Sequence, residues 1–154
     1  MNREEKIQII IQHKNDVDIL VHKKYHELAQ SYGLSLEQYH LLLELDELML
    51  NVNDSHNAPT IGQMARNINK SQNTVSEKIT RLENKGLVKR IKDSSDRRVS
   101  RVIITEVGKD LIALIDKEAN GKFLFNAVNA MEDSDIDAFL GCLDKLIKQM
   151  NAIG

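Results

Sequence analysis

Apolar residues recur at helical spacing over most of this chain. Ile7, Ile10, Ile11, Val17, Val21, Tyr25 and Leu28 trace a long first helical segment that stops near Gly33. Ser35 with Gln38 makes a capping-box pattern ahead of Tyr39, Leu42, Leu43 and Leu45, which predicts a second helix from Leu36. The polar stretch Asn51 to Pro59 holds the only proline and ends that helix. Thr60 and Gln63 repeat the capping box, and Ile61, Met64, Ala65 and Ile68 give a short third helix one apolar face. A polar break from Asn67 to Lys70 has the length that joins two helices of a helix-turn-helix. Ser71 then caps a fourth helix with Val75, Ile79 and Leu82 on one side and Gly86 as its stop.

After Gly86 the period changes. Leu87 to Lys92 and Val99 to Thr105 are short, β-branched runs separated by polar turn residues, so they predict a hairpin. A hairpin alone is marginal in water. It is therefore expected to pack on the helix pair and to pair with the residues around Ala58 to Thr60. Val107, Leu111, Leu114, Ile115 and Phe123 mark a fifth helix, and Ile136, Phe139, Leu140, Leu143, Leu146, Ile147 and Met150 a sixth with one strong apolar stripe. The predicted class is mainly α, a winged helix-turn-helix with a small β-hairpin wing and flanking dimerisation helices. The wing and its helices occupy residues 35–105, and the helical dimerisation region residues 1–34 and 106–154.

Composition narrows the class. With 154 residues, 42% hydrophobic and 29% charged, the chain is one globular domain's worth of material, large enough to bury a core. It has no low-complexity run or internal repeat, no leader-like N-terminal segment, and no apolar stretch near the roughly 18 residues that span a bilayer. The single cysteine, Cys142, has no internal disulfide partner. The expectation is a cytoplasmic protein with no membrane partner.

The charge is unevenly spread. The total is −2, yet Gly62 to Ile104 holds eleven Lys and Arg against four acids, a net +7 that leaves −9 for the remainder. An acidic body with a basic middle predicts a polyanion partner for the middle alone. The polar side of the fourth helix shows Gln72, Asn73, Ser76, Lys78, Thr80 and Arg81, groups that hydrogen-bond base edges and phosphates in a major groove. A thin hairpin with Arg97 and Arg98 at its turn suits the narrow, electronegative minor groove. The predicted DNA-binding set is Ser71, Gln72, Asn73, Thr74, Ser76, Lys78, Arg81, Asp96, Arg97 and Arg98.

Here a resemblance becomes specific. DSSDRRVSRVIITEVG is similar to the signature D-x-R-x-x-x-x-x-L-T-x-x-G of the MarR family of bacterial transcriptional regulators, with Asp96, Arg98, Thr105 and Gly108 in place and Ile104 where the family has Leu. TIGQMARNINKSQNTVSEKITRLENKGLVKR resembles the family's core helix pair, including the Leu-x-x-x-Gly-Leu pattern at Leu82, Gly86 and Leu87. The loop from Asn51 to Pro59 is long for the family. The resemblance implies a homodimer that binds a pseudo-palindromic double-stranded operator, represses by occluding a promoter, and is relieved by a small-molecule effector. It further implies that the motif aspartate braces the wing and that a wing arginine reaches the minor groove.

Other residues invite competing readings. Tyr25, Tyr32, Tyr39 and Phe123 would approach one another in such a fold, where Tyr25, Tyr39 and Phe123 line an effector pocket or simply pack the core. His22 and His26 sit four apart like metal ligands, but the glutamate of a metalloprotease motif is missing. An interface or surface role is preferred over metal sensing with His40, so no metal is assigned. Cys142 reads as a packed thiol rather than a redox switch. Without a nucleophile set, a phosphate-cradling glycine loop or a suggestive carboxylate pair, the chain is not expected to be an enzyme or to need a cofactor. The alternatives to a ligand-responsive regulator are a metal or redox sensor of the same fold, and a winged-helix protein-interaction module without DNA binding. The last predicts a neutral or acidic wing, whereas Arg97, Arg98 and Arg101 are basic.

Overall fold

A computed structural model describes residues 1–50 and 57–154. Most of the predicted polar loop, Asn51 to His56, lies outside the described residues. In chain order the elements are α1 (Arg3–Ser31), α2 (Leu36–Leu50), α3 (Ile61–Asn67), α4 (Gln72–Asn84), β1 (Val88–Lys92), β2 (Ser100–Ile104), α5 (Glu106–Glu118), a π-helical turn (Ala119–Leu124), α6 (Phe125–Asn129) and α7 (Asp133–Ile153). No helix among the described residues is long and apolar enough to cross a membrane. The chain divides into two compact units, His22–Asp116 and a second made of Met1–Val21 with Lys117–Gly154. The boundaries fall inside α1 and α5.

Local chemistry explains the first unit. Ser35 and Gln38 cap α2 reciprocally, with backbone-to-side-chain distances of 3.1 and 3.2 Å. Thr60 and Gln63 do the same for α3, at 2.8 and 3.1 Å. The Ser71 hydroxyl accepts the Thr74 N–H at 3.2 Å and starts α4. The turn between α3 and α4 passes through Asn69 at φ 52°, a left-handed position that asparagine tolerates. There the Lys70 N–H returns to the Ala65 carbonyl at 2.9 Å. Gly86, at φ 73°, ends α4 in the same way, with the Leu87 N–H on the Leu82 carbonyl at 3.1 Å.

Strands β1 and β2 pair antiparallel, with Val88 opposite Ile104, Arg90 opposite Val102 and Lys92 opposite Ser100. The expected third partner is present as a single bridge, Thr60 to Arg101, and the Val102 N–H donates to the Pro59 carbonyl at 2.9 Å. One apolar cluster then closes under the sheet. Leu42 and Leu45 of α2, Met64 of α3, Val75, Ile79 and Leu82 of α4, Val102 of β2 and Ile115 of α5 are fully buried in it.

The second unit is built differently. Ala119 is its one buried residue among the described residues, and α7 has none. Leu143, Leu146, Ile147 and Met150 are 37%, 50%, 55% and 63% exposed. The fifth predicted helix, read as running to Phe123, changes to a π turn after Glu118 before α6 resumes.

Candidate nucleic-acid interface

The wing is braced at two levels by two aspartates. At its base, Asp93 Oδ1 accepts the backbone N–H groups of Ser95 and Asp96 at 2.8 and 3.0 Å, while Oδ2 pairs with the Arg101 guanidinium. Arg101 also donates to the Ala58 carbonyl at 2.6 Å, which ties the wing to the segment before α3. These bonds, the Asp96 N–H foremost and the Arg101 guanidinium next, hold the Asp93 carboxyl down at about 2. At the tip, Asp96 Oδ1 accepts Arg98 Nε and Oδ2 accepts Arg98 Nη2, each at 3.0 Å, a planar two-point grip. The Arg98 side chain is nevertheless 89% exposed. Asp96 thus orients an arginine that still faces outward. Arg97 beside it is exposed, with no acidic partner among the described residues.

The hairpin is locked to the helix pair by a residue that the basic count alone did not single out. Arg90 lies on the same strand face as the buried Val88 and reaches α4. Its guanidinium pairs with Glu83 at 2.5 Å and donates to the Ser76 carbonyl at 2.8 Å and the Thr80 hydroxyl at 2.9 Å. The Arg90 backbone N–H also donates to Glu83 at 2.9 Å, and together these bonds hold the Glu83 carboxyl below its ordinary range. The legible signal was the alternation itself, which puts a charge on the core side of β1. Thr105 and Gly108 of the motif are structural too. The Thr105 hydroxyl donates to the Gly86 carbonyl at 2.6 Å and accepts the Gly108 N–H at 3.1 Å. A Cβ on Gly108 would stand 2.3 Å from the Leu87 carbonyl oxygen.

Between wing and helices runs a groove of about 460 Å³, lined by Thr60, Ile61 and Gly62 at the start of α3, Gln72, Asn73 and Ser76 on the first turns of α4, and Arg98, Val99 and Ser100 of the wing. Four of the ten predicted site residues therefore share one concave face, and the start of α3 joins them although the sequence did not mark it. Ser71 and Thr74 cap α4 through a mutual hydroxyl contact of 2.8 Å. Arg81 is exposed farther along α4. Lys78 turns toward α2, where its ammonium pairs with Glu37 at 2.8 Å and only 15% of the side chain is exposed. Of the eleven cations between residues 62 and 104, Lys78, Arg90, Arg98 and Arg101 are ion-paired, and the other seven make no ion pair within 4.0 Å among the described residues.

Residues 34–100 match the profile of the MarR family. That stretch is similar to a MarR-family domain. Solved structures agree on the fold. Transcriptional regulator Tm0710 from Thermotoga maritima superposes with a TM-score of 0.77 at 19% identity over 94% of this chain and 96% of that one. A mutant of S. aureus MepR bound to an oligodeoxyribonucleotide gives 0.68 at 19% identity over 97% and 99%. A MarR family protein from Bacillus stearothermophilus gives 0.62 at 21% identity over 98% and 99%. No curated protein matches the chain. The MarR-family architecture is that of a winged-helix transcription regulator, and here the matched residues carry the groove, α3, α4 and most of the wing.

Within the MarR-family fold the aromatic candidates separate. Tyr25 and Tyr39 stack with ring centroids 6.3 Å apart, and the Tyr25 hydroxyl donates to the Asp116 carboxylate. The Tyr39 hydroxyl is buried without a hydrogen-bond partner among the described residues, and burial, with the nearby Asp116 charge, pushes its phenol up to about 12. Phe123 stands on the π turn, and Tyr32 is an exposed residue just past α1. Cys142, expected to be packed, is instead an exposed free thiol, because α7 buries none of its residues.

Proposed function

We propose that the chain is a homodimeric repressor that binds a pseudo-palindromic DNA operator, with α4 in the major groove and the wing over the adjacent minor groove. The observation that carries this reading is the groove in which Arg98, held by Asp96, faces the same space as Gln72, Asn73 and Ser76. Residues 35–105 read the DNA, and residues 1–34 and 106–154 pair two copies. The unburied stripe on α7 supports the pairing, since an apolar face this long in a folded chain marks an interaction surface. The MepR structure holds an oligodeoxyribonucleotide, which supports the DNA reading. Relief by a small ligand fits the stacked Tyr25 and Tyr39, where a buried hydroxyl offers an unused hydrogen bond.

Arg98 is assigned to the minor groove, because its carboxylate brace presents it preformed, and Arg97 to phosphate. Single alanine variants test the assignment. Arg97→Ala should weaken binding to all sequences alike and lower the salt slope by about one unit, whereas Arg98→Ala should also erase preference for A·T-rich flanks, each at about 1–3 kcal/mol. If both variants bind a selected operator like wild type across a salt titration, the wing does not read DNA.

A further inference from the structure

The polar groups that the DNA reading leaves unused gather at the junction of α1 and α2. His22 and His26, four apart on α1, face His40 of α2, with ring centroids 4.2, 5.5 and 5.6 Å apart. One ligand nitrogen from each lies within 4.8 Å of the other two. We propose that His22, His26 and His40 form a binding site for a divalent transition-metal ion of the zinc class.

Three facts converge on it. Zn–N bonds of about 2.0–2.1 Å place tetrahedral ligands about 3.4 Å apart, so the imidazoles need only side-chain rotation to close on an ion. The Nε2 of His26 is buried with no hydrogen-bond partner among the described residues, a vacancy that a buried polar atom seldom carries and that a cation would fill. An all-nitrogen donor set selects zinc, copper, nickel or cobalt and discriminates against magnesium and calcium, which take oxygen. His22 and His40 are exposed, so an ion and a fourth ligand from solvent can enter.

The site touches the DNA-reading machinery through α2. Glu37, one helical turn before His40, holds Lys78 of α4, and His40 shares a pocket with Glu37, Lys70 and Lys78. An ion that clamps α2 to α1 would therefore steady the support of α4, a consequence that rests on the DNA reading, whereas the site itself does not.

Titration of the metal-free protein with Co(II) should produce the visible absorption of tetrahedral, imidazole-bound cobalt, saturating at one ion per chain and bleached by Zn(II). Competition against a chromogenic chelator should show His22→Ala and His40→Ala binding Zn(II) about 100-fold more weakly or worse, since even outer-shell losses reach tens of fold. His13→Ala, on the exposed early part of α1, should bind like wild type. Zn(II) should also raise the melting temperature of wild type but not of His40→Ala, whose metal-free melt reports that it folds. Absence of stoichiometric binding, or binding indifferent to His22→Ala and His40→Ala, overturns the proposal. None of these readouts contains DNA, so failure here leaves the operator reading standing.

Discussion

The two units of this chain treat the same kind of residue in opposite ways. In His22–Asp116, leucines and isoleucines from α2, α4, α5 and the sheet vanish into one cluster. In the unit formed by both ends of the chain, Ile10, Leu20, Phe125, Leu140 and Ile147 are each more than half exposed. Helix propensity alone seldom holds a helix in water, and most helical stability comes from packing an apolar face. The stripe left open along the 21 residues of α7 is the surface that the proposed pairing would cover. The winged unit buries its apolar residues within one chain, whereas the terminal unit leaves the stripe of α7 exposed. On the proposed reading, the DNA contacts would ride on a self-sufficient scaffold while pairing of two copies would set their spacing.

The largest expected effect breaks the open unit. If α7 is an interface, Ile147→Asp or Leu143→Asp places a charge where the partner's apolar stripe should lie, at a cost on the order of several kcal/mol. Sedimentation equilibrium should find wild type dimeric at micromolar concentration and either variant monomeric or unfolded. A monomeric wild type, with or without DNA, ends the comparison. Two half-sites about 10 base pairs apart would then lose their geometric reason.

A pair of alanines sharpens the contrast at the next level. In the closed unit, Gly108→Ala drives a methyl into the Leu87 carbonyl, 2.3 Å away, and against Ile104 Cγ1 at 2.8 Å. The junction of wing and α5 has to shift, and urea unfolding should show a loss of about 1–3 kcal/mol. In the open unit, Gly141 of α7 has nothing within 4 Å of the same added atom. There Gly141→Ala should stabilise by up to about 1 kcal/mol through helix propensity. A loss at Gly141 instead would locate the partner's closest approach on that turn.

How much of this was legible in the sequence follows the range of the forces involved. Caps and stops are set within a few residues, so Thr60 with Gln63, Ser71 and Gly86 could be read directly. The hairpin and its bridge to Thr60 followed from short β-branched runs. The MarR-type motif identified Asp96 and Arg98, and their two-point contact follows from being two residues apart. Long-range partners were opaque. Nothing near Lys78 in the sequence marks Glu37, 41 positions earlier, as its ion partner, so that lysine read as part of the DNA-facing side. The pairing of Arg101 with Ala58 and the docking of Arg90 on α4 likewise depend on how hairpin and helices meet. The π turn at Ala119–Leu124 was missed because Leu111, Ile115 and Phe123 fit an unbroken helix, and one extra residue per turn leaves little trace in so sparse a stripe. His22 and His26 were visible as a pair, but His40 joins them only through packing.

The smallest effect is confined to the wing and tests whether its order belongs to the closed unit. Asp93, ordinarily near 3.8, is held at about 2 by the Asp96 N–H first, then the Arg101 guanidinium and the Ser95 N–H. A depressed folded-state value means that the stabilisation is fully present above the ordinary value and disappears as pH falls from about 3.8 through about 2. The wing should therefore keep its shape at pH 5, where ordinary carboxylates are still mostly charged, and loosen only in strong acid. Carboxyl-carbon NMR should find the Asp93 midpoint near 2. Arg101→Met should raise that midpoint only part of the way back, because the backbone donors of Ser95 and Asp96 stay in place. A wild-type midpoint close to the ordinary carboxylate value would mean that the wing is no more ordered than a free hairpin. The closed unit would then end at the sheet, and Arg98 would come to DNA without a braced base beneath it.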